Sequence, residues 1–232
     1  DITKSHSIEN NDCSVTNSLY ANLNSKITYT ITIKNNSTSS YTGMKISEYI
    51  DTNKSVGLSV IILDRHSTDA WKIGRYLKVE QLSDAIHMET IPSGDLQKGF
   101  TTTYQWGNST MKITSILQAG EKTIRFCINV DWNEVSGSDV TPLLVFQVPM
   151  SEKSKKFMCD IPGGVQYRKP INHDIPGLQF CAAIKEDGSA LALIPDSKYG
   201  YRATEDNLAV SLISSANYPD PYPDRGLHTI NI

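Results

Sequence analysis

Alternation of apolar and polar residues with a period of two is the dominant pattern along the chain. In residues 26–34, isoleucine or tyrosine stands at every second position with threonine between. Because successive side chains of a strand point to opposite faces of a sheet, this pattern predicts a half-buried antiparallel strand. The same alternation, bounded by turn-forming Gly, Asn, Asp or Pro, recurs in residues 100–106, 124–132 and 208–212.

Shorter apolar runs without alternation predict strands that are buried on both faces. These runs are residues 56–63, 143–148, 180–184 and 190–194. The sequence contains no amphipathic pattern with the helical period. Many short strands about ten residues apart predict an all-β fold, and specifically an antiparallel β-sandwich, because a sheet must bury its apolar face against a second sheet.

The composition narrows the possible partners. With 39% hydrophobic and 20% charged residues, the chain of 232 residues resembles an ordinary globular protein. A net charge of -3 provides no basic excess, so we do not expect nucleic acid as a partner. No apolar run approaches the roughly 18 residues of a membrane span, so no membrane partner is expected either. Since the sequence starts at Asp1 and not at methionine, we expect it to be part of a longer polypeptide.

The cysteines favour a reducing compartment. The sequence has four of them: Cys13, Cys127, Cys159 and Cys181. No CxxC pair is present to bind zinc, and four widely spaced cysteines are too few for a disulfide-rich fold, so we predict buried thiols. Cys159 and Cys181 flank one loop and could form a disulfide if oxidised. We therefore expect a cytoplasmic protein. Glycosylation triplets begin at Asn35, Asn36 and Asn108. They keep a secreted or cell-surface location open as the alternative.

Four segments of the C-terminal hundred residues carry a family resemblance. They are Val130-Asp131-Trp132 with Phe146-Gln147-Val148-Pro149, then Cys159–Arg168, then Leu193–Tyr201 with its Lys-Tyr-Gly-Tyr, and finally Asn207–Ser215 running into Tyr218–His228. The last contains Pro-Asp-Pro-x-x-Asp-x-Gly-x-His and is the most specific. In this order, the segments resemble the C-terminal region of glycoside hydrolase family 38 α-mannosidases.

The resemblance implies a fragment of a larger enzyme with a galactose-mutarotase-like supersandwich. Residues 56–232 are then the α-mannosidase C-terminal β-sandwich domain, and the assignment of the N-terminal strands in residues 1–55 stays open. Such a domain is accessory: it packs on its own N-terminal catalytic domain and helps wall the active site, where an α-mannoside oligosaccharide is hydrolysed with retention. The family's zinc belongs to that catalytic domain, and this chain alone is predicted to be inactive and without a cofactor.

Candidates for the pocket wall or the domain interface lie in two of these segments. They are Tyr199, Tyr201, Asp220, Asp224, Arg225 and His228. The tyrosines offer flat faces for sugar stacking, and the polar residues offer donors and acceptors for hydroxyl groups. The alternatives are core packing of the tyrosines, and a rigid Pro-rich turn closed by a salt bridge of Asp224. A hydrolytic pair of Asp220 and Asp224 is disfavoured, because a proline-broken loop does not fix their separation.

Other residues receive plainer interpretations. Trp106 and Trp132 are predicted to be core residues, whereas Trp71 belongs to an Asp-Ala-Trp segment that is weakly similar to one in the family. His173 is expected in solvent. At Ser214 the sequence departs from the arginine that the resemblance leads us to expect, which puts sugar contact through that strand in doubt. Two rival hypotheses remain: a non-catalytic carbohydrate-binding or immunoglobulin-like surface module, and a structural spacer.

Overall fold

The computed structural model describes residues 32–33, 44–45 and 56–232, with the exception of residues 68, 93 and 223. Within this part of the chain the regular structure is β, apart from one 3-10 turn at Arg65–Ser67, and every paired set of strands is antiparallel. The predicted all-β antiparallel fold is confirmed. Most of the strand predicted at residues 26–34 lies outside the described residues.

In the described ranges, seventeen strands form four sheets. The strands are β1 (Thr32–Ile33), β2 (Met44–Lys45), β3 (Gly57–Asp64), β4 (Tyr76–Gln81), β5 (His87–Thr90), β6 (Gln97–Trp106), β7 (Ser109–Gln118), β8 (Ile124–Trp132), β9 (Val140–Pro149), β10 (Lys156–Ile161), β11 (Gly164–Arg168), β12 (Ile175–Pro176), β13 (Cys181–Ile184), β14 (Ala190–Leu193), β15 (Gly200–Ala203), β16 (Asn207–Ser214) and β17 (Gly226–Asn231). The sheets have the orders β12-β15-β16-β9-β3-β4, β17-β8-β7-β6-β5, β11-β10-β13-β14 and β1-β2.

The main core lies between the six-stranded and the five-stranded sheet. Phe146 of β9 and Phe126 of β8 meet across it with ring centroids 4.7 Å apart. Trp132, fully buried on β8, donates its indole N–H to the Ser215 hydroxyl just beyond β16, at 2.9 Å. The four-stranded sheet contributes Phe157 to the same cluster of buried residues. The sandwich is therefore closed by side chains from three sheets.

The six-stranded sheet is also buried on its second face, where Ile61 and Leu63 of β3 pack with Leu143 and Val145 of β9. This explains why the central strands have apolar runs without alternation, as predicted for residues 56–63 and 143–148. The same prediction is wrong for residues 190–194. There β14 is the edge strand of the small four-stranded sheet, two of its four residues are exposed, and only Leu193 is buried.

None of the helical structure in the described ranges is long and apolar enough to cross a membrane.

Candidate functional site

Two loops meet at one end of the six-stranded sheet. One follows β3 and covers residues 65–75, and the other, residues 215–225, connects β16 to β17. They are tied together by the backbone: the N–H of Ala70 donates to the carbonyl of Tyr218 at 2.9 Å, beside a parallel bridge between Asp69 and Tyr218. We call the surface formed by Trp71, Tyr218 and Tyr222 on these loops the aromatic end.

The three rings of the aromatic end are exposed to solvent. The exposed fractions are 71% for Trp71, 63% for Tyr218 and 62% for Tyr222. Trp71 and Tyr218 contact each other edge to face, with centroids 6.0 Å apart and planes at 65°. Because large aromatic groups in water make no contribution to the core, a fixed group of them at the surface indicates a binding or docking surface.

A buried carboxylate fixes the loop that carries Trp71. Asp64, at the end of β3, accepts hydrogen bonds from Arg75 Nε at 3.1 Å, from the backbone N–H of His66 at 3.2 Å and from His66 Nδ1 at 3.3 Å. Burial opposes the charged form of Asp64, but these hydrogen bonds outweigh it and lower its pKa to about 2. The loop is held further by Gly74, whose N–H donates to the Ser67 hydroxyl.

The polar residues predicted from the C-terminal segment lie on the second loop. Asp220 Oδ1 accepts the backbone N–H of Tyr222 at 2.9 Å, and Arg225 stands over the Tyr222 ring at 5.6 Å. His228 Nε2 donates to the carbonyl of Asp224 at 2.7 Å, where the Asp224 backbone is left-handed with φ 57°. Asp220 and His228 thus set the shape of the loop, while Tyr222 and Arg225 point a ring and a cation outward.

The salt bridge that the alternative interpretation assigned to Asp224 is not formed with any cation in the described part of the chain. What closes the turn is the hydrogen bond from His228 to the Asp224 carbonyl. The carboxylate of Asp220 is engaged with the backbone of Tyr222, so it serves the turn.

Tyr199, which precedes β15, and Tyr201, which lies in it, differ in burial. Tyr199 is 59% exposed, and its carbonyl accepts the N–H of Gly177 at 2.9 Å. Tyr201 is fully buried, and its hydroxyl donates to the carbonyl of Leu178 at 3.0 Å. The expectation that Tyr201 walls a pocket is therefore wrong, because it pairs with Val210 of β16 on the face that forms the core. The alternative of core packing holds for Tyr201.

Sequence reasoning missed a buried polar cluster on the other face of that sheet, which we call the Arg202 network. Arg202 Nε donates to Asp174 Oδ1 at 2.7 Å, with 10% and 6% of the two side chains exposed, and also to Asn172 Oδ1 through its NH1 group at 3.0 Å. The hydroxyls of Tyr76 and Ser211 donate to the same carboxylate, each at 3.1 Å. The guanidinium lies 3.4 Å from the centre of the Tyr76 ring.

The Arg202 network satisfies the polar groups that it buries. Burial and the neighbouring Asp174 carboxylate raise the pKa of Tyr76 above its ordinary value, so its hydroxyl stays protonated and donates. The sequence signal for this network was the position of Arg202 between apolar residues of a strand. A guanidinium that is buried in this way requires a buried partner. That partner, Asp174, stands in a polar loop and is 28 positions away, so no local pattern joins the two.

The remaining candidates divide as follows. Trp132 is a core residue as predicted, and Trp106 is half-buried, stacked on Trp132 at 6.2 Å and bonded to Glu80 through its indole N–H at 2.8 Å. His173 is exposed, as expected. Ser214 lies at the end of β16, paired with Leu143.

The described residues do not suit a metal ion. Among them, no group of three or more His, Cys, Asp or Glu side chains is arranged to hold one. Zinc therefore has no donor set in this part of the chain.

The packed antiparallel sheets, with the aromatic end held by hydrogen bonds between two loops, define a β-sandwich domain. The chain belongs to the family described as the glycosyl hydrolases family 38 C-terminal domain, whose model matches residues 18–222. The fold is similar to that of an α-mannosidase from Enterococcus faecalis V583, with a TM-score of 0.63 and 9% sequence identity. That likeness covers 87% of this chain and 26% of the bacterial enzyme, so the chain spans about a quarter of that enzyme's length. None of the curated proteins compared with the chain matches it.

Proposed function

We propose that this chain is the accessory C-terminal β-sandwich domain of a zinc-dependent retaining α-mannosidase, and that it packs on the catalytic domain and helps wall the active site. The proposal is supported by membership of the family over residues 18–222 together with the aromatic end. The observation that carries it is that Trp71 and Tyr218 are exposed yet fixed by backbone hydrogen bonds. Zinc, supplied by the catalytic domain, would polarise the substrate and orient the nucleophile there.

The proposed role fits the physics of the aromatic end. A domain interface or the rim of a sugar pocket needs flat, amphipathic rings that lose little conformational entropy on contact. The order already imposed on Trp71 by Asp69 and on Tyr222 by Asp220 reduces that entropic cost further. We assign the substrate as an α-mannoside oligosaccharide and the compartment as cytoplasmic, and both assignments are part of the proposal.

The first test compares two lengths of the polypeptide. Hydrolysis of p-nitrophenyl α-mannoside with added zinc is measured for this chain and for the longest form that includes its upstream coding sequence. We expect activity only in the longer form, because the catalytic carboxylates and the zinc ligands lie outside this chain. Activity in the short chain would overturn the proposal and would bring Asp220 and Asp224 back as candidates.

The second test examines the aromatic end within the longer form. We expect Trp71→Ala and Tyr218→Ala to lower kcat/KM roughly tenfold or more, because a displaced pocket wall misplaces the substrate. The matched control is Tyr167→Ala, since Tyr167 is 54% exposed on β11 and outside the aromatic end. Unchanged kinetics in both aromatic variants, with normal folding, would favour a structural spacer.

A second candidate function is a non-catalytic carbohydrate-binding module, and the exposure of Trp71, Tyr218 and Tyr222 favours it. In that case mannose oligosaccharides would raise the melting temperature of the isolated chain, and Trp71→Ala would abolish the rise. No shift with any oligosaccharide would leave the accessory role as the better account.

A further inference from the structure

Two cysteines face each other inside the four-stranded sheet. Cys159 of β10 and Cys181 of β13 are register partners on neighbouring antiparallel strands. Both are fully buried, and their sulfur atoms lie 3.3 Å apart. Contact between the sulfurs means that the side chains already point at each other.

The backbone around the two cysteines has a spacing that suits a covalent bond. The N–H of Asp160 donates to the carbonyl of Phe180 at 3.1 Å, which makes Cys159 and Cys181 a non-hydrogen-bonded pair between flanking hydrogen bonds. Residues in such pairs have Cα atoms about 4.5 Å apart. That spacing lies inside the range of roughly 4.4–6.8 Å that disulfides span, so a bond between the sulfurs needs no displacement of the strands.

The hydrogen bond between the two thiols, and to a smaller extent a neighbouring cation, lower the pKa of Cys159. The hydrogen bond from Cys181 lowers the pKa of Cys159 to about 7 although burial opposes this, and the positive charge of Arg168 contributes in the same direction. The pKa of Cys181 is raised, because Cys181 keeps the proton that it donates. Arg168 Nε is buried without a hydrogen-bond partner among the described residues, so the guanidinium stands beside the thiols with that donor unused.

We propose that Cys159 and Cys181 are a modification site that hydrogen peroxide converts into a reversible disulfide. The Cys159 thiolate attacks one peroxide oxygen, and the O–O bond breaks with hydroxide as the leaving group. The product is a sulfenic acid on Cys159. The Cys181 sulfur then attacks the Cys159 sulfur, the S–O bond breaks, and water leaves. In total, two thiols lose two protons and two electrons, and one peroxide becomes two waters.

The disulfide closes a loop between residues that are 22 positions apart. This loop contains the β11 hairpin, β12 and Asp174 of the Arg202 network. Restricting a loop of this length in the unfolded chain is expected to raise the melting temperature by roughly 5–10 °C. The inference does not depend on the proposed function, because it concerns only the four-stranded sheet.

The test uses the 232-residue chain carrying Cys13→Ser and Cys127→Ser, which leaves the proposed pair as its only thiols. After peroxide treatment we expect the titratable thiols of the denatured chain to fall from two to zero and its mass to fall by about 2 Da. A non-reducing digest should contain one peptide pair joined through Cys159 and Cys181. Dithiothreitol should restore both thiols and return the melting temperature to that of the untreated chain.

Three results would overturn the proposal: two thiols that persist in the folded monomer, addition of two oxygens to Cys159 without a cross-link, or cross-linking only between separate chains. The matched control adds Cys181→Ser, which should stop the reaction of Cys159 at the sulfenic acid. Because the tested variant retains Cys159 and Cys181, its result does not depend on whether the control folds.

Discussion

The Arg202 network and the loop that carries Tyr222 of the aromatic end each place an arginine over a tyrosine ring, yet the two pairs are opposite in burial. In the network, Arg202 lies over the Tyr76 ring, and the Asp174 carboxylate receives donors on both oxygens. At the aromatic end, Arg225 lies over Tyr222 and both remain in solvent. The same residue types therefore serve as an internal brace in one place and as an open surface in the other.

This difference in burial indicates which of the two regions can contact a ligand or another domain. The central ion pair of the Arg202 network, Arg202 with Asp174, is buried, so a change there affects the stability of the fold. The rings of the aromatic end contribute little to burial, and the structure instead holds them in place through Asp64 and the backbone of Tyr218. We expect changes there to affect binding or catalysis more than stability.

The largest expected effect is on the buried ion pair. Asp174→Ala leaves the Arg202 charge buried without compensation and removes the acceptor for Tyr76 and Ser211, so we expect a loss of about 3–5 kcal/mol in the free energy of unfolding. Urea denaturation measures it. The matched control is Glu186→Ala, which removes an ion pair with Lys155 whose side chains are 85% and 80% exposed.

That control should lose at most about 1 kcal/mol, because exposed ion pairs are screened by water. If Asp174→Ala costs no more than Glu186→Ala, the Arg202 network is not a brace and the comparison fails.

The next effect concerns the loop that presents Trp71. A Cβ at Gly74 would stand 2.0 Å from Asp64 Oδ1 and 2.6 Å from the Ser67 hydroxyl. Because Asp64 is held by its other hydrogen bonds and cannot move aside cheaply, we expect Gly74→Ala to cost about 1–3 kcal/mol in urea denaturation. In Gly94→Ala, the control, the added Cβ meets nothing within 4 Å, and the stability should be nearly unchanged. Equal costs in both variants would refute the role assigned to Asp64.

The pH dependence sharpens the same point. The pKa of Asp64 is lowered to about 2 in the folded chain, against roughly 3.9 in an unfolded one. Its stabilising contribution is therefore fully present above about pH 4 and is lost as the pH falls towards 2. Asp64→Asn should flatten the fall in the free energy of unfolding between pH 4 and 2. If the free energy of unfolding of Asp64→Asn falls as steeply between pH 4 and 2 as that of the unmodified chain, the stabilising role assigned to the Asp64 carboxylate is wrong.

The smallest effect on stability is expected at the aromatic end itself. Trp71→Ala should change the free energy of unfolding by less than about 1 kcal/mol, since most of the ring already lies in water. Thermal and urea unfolding check this on the same samples that are used for kinetics. A larger loss would show that Trp71 is a structural residue and that the aromatic end belongs with the Arg202 network.

The sequence predicted the sheets better than the site, and the reason is physical. Alternation and apolar runs report burial, so β3, β9 and the core position of Trp132 could be inferred from them. Tyr199 and Tyr201 are two positions apart, which would place both on one face of a continuous strand, but Tyr199 precedes β15 and only Tyr201 lies in the strand. The pairing of Arg202 with Asp174 and the bridge from Asp69 to Tyr218 depend on long-range topology, which no local pattern reports.

The order of the strands in the two large sheets also predicts which sheet forms first during folding. Strands β6, β7 and β8 are consecutive hairpins, whereas β3 must pair with β9, with Leu58 opposite Phe146 far along the chain. Closing so long a loop is entropically costly, so the meander should form early and the six-stranded sheet late. Pulse-labelled hydrogen exchange during refolding should protect Ile113 before Ile61, which is opposite Leu143 of β9. Until β9 has left the ribosome, the apolar strand β3 is paired only with β4, and its other edge stays open to association with other chains.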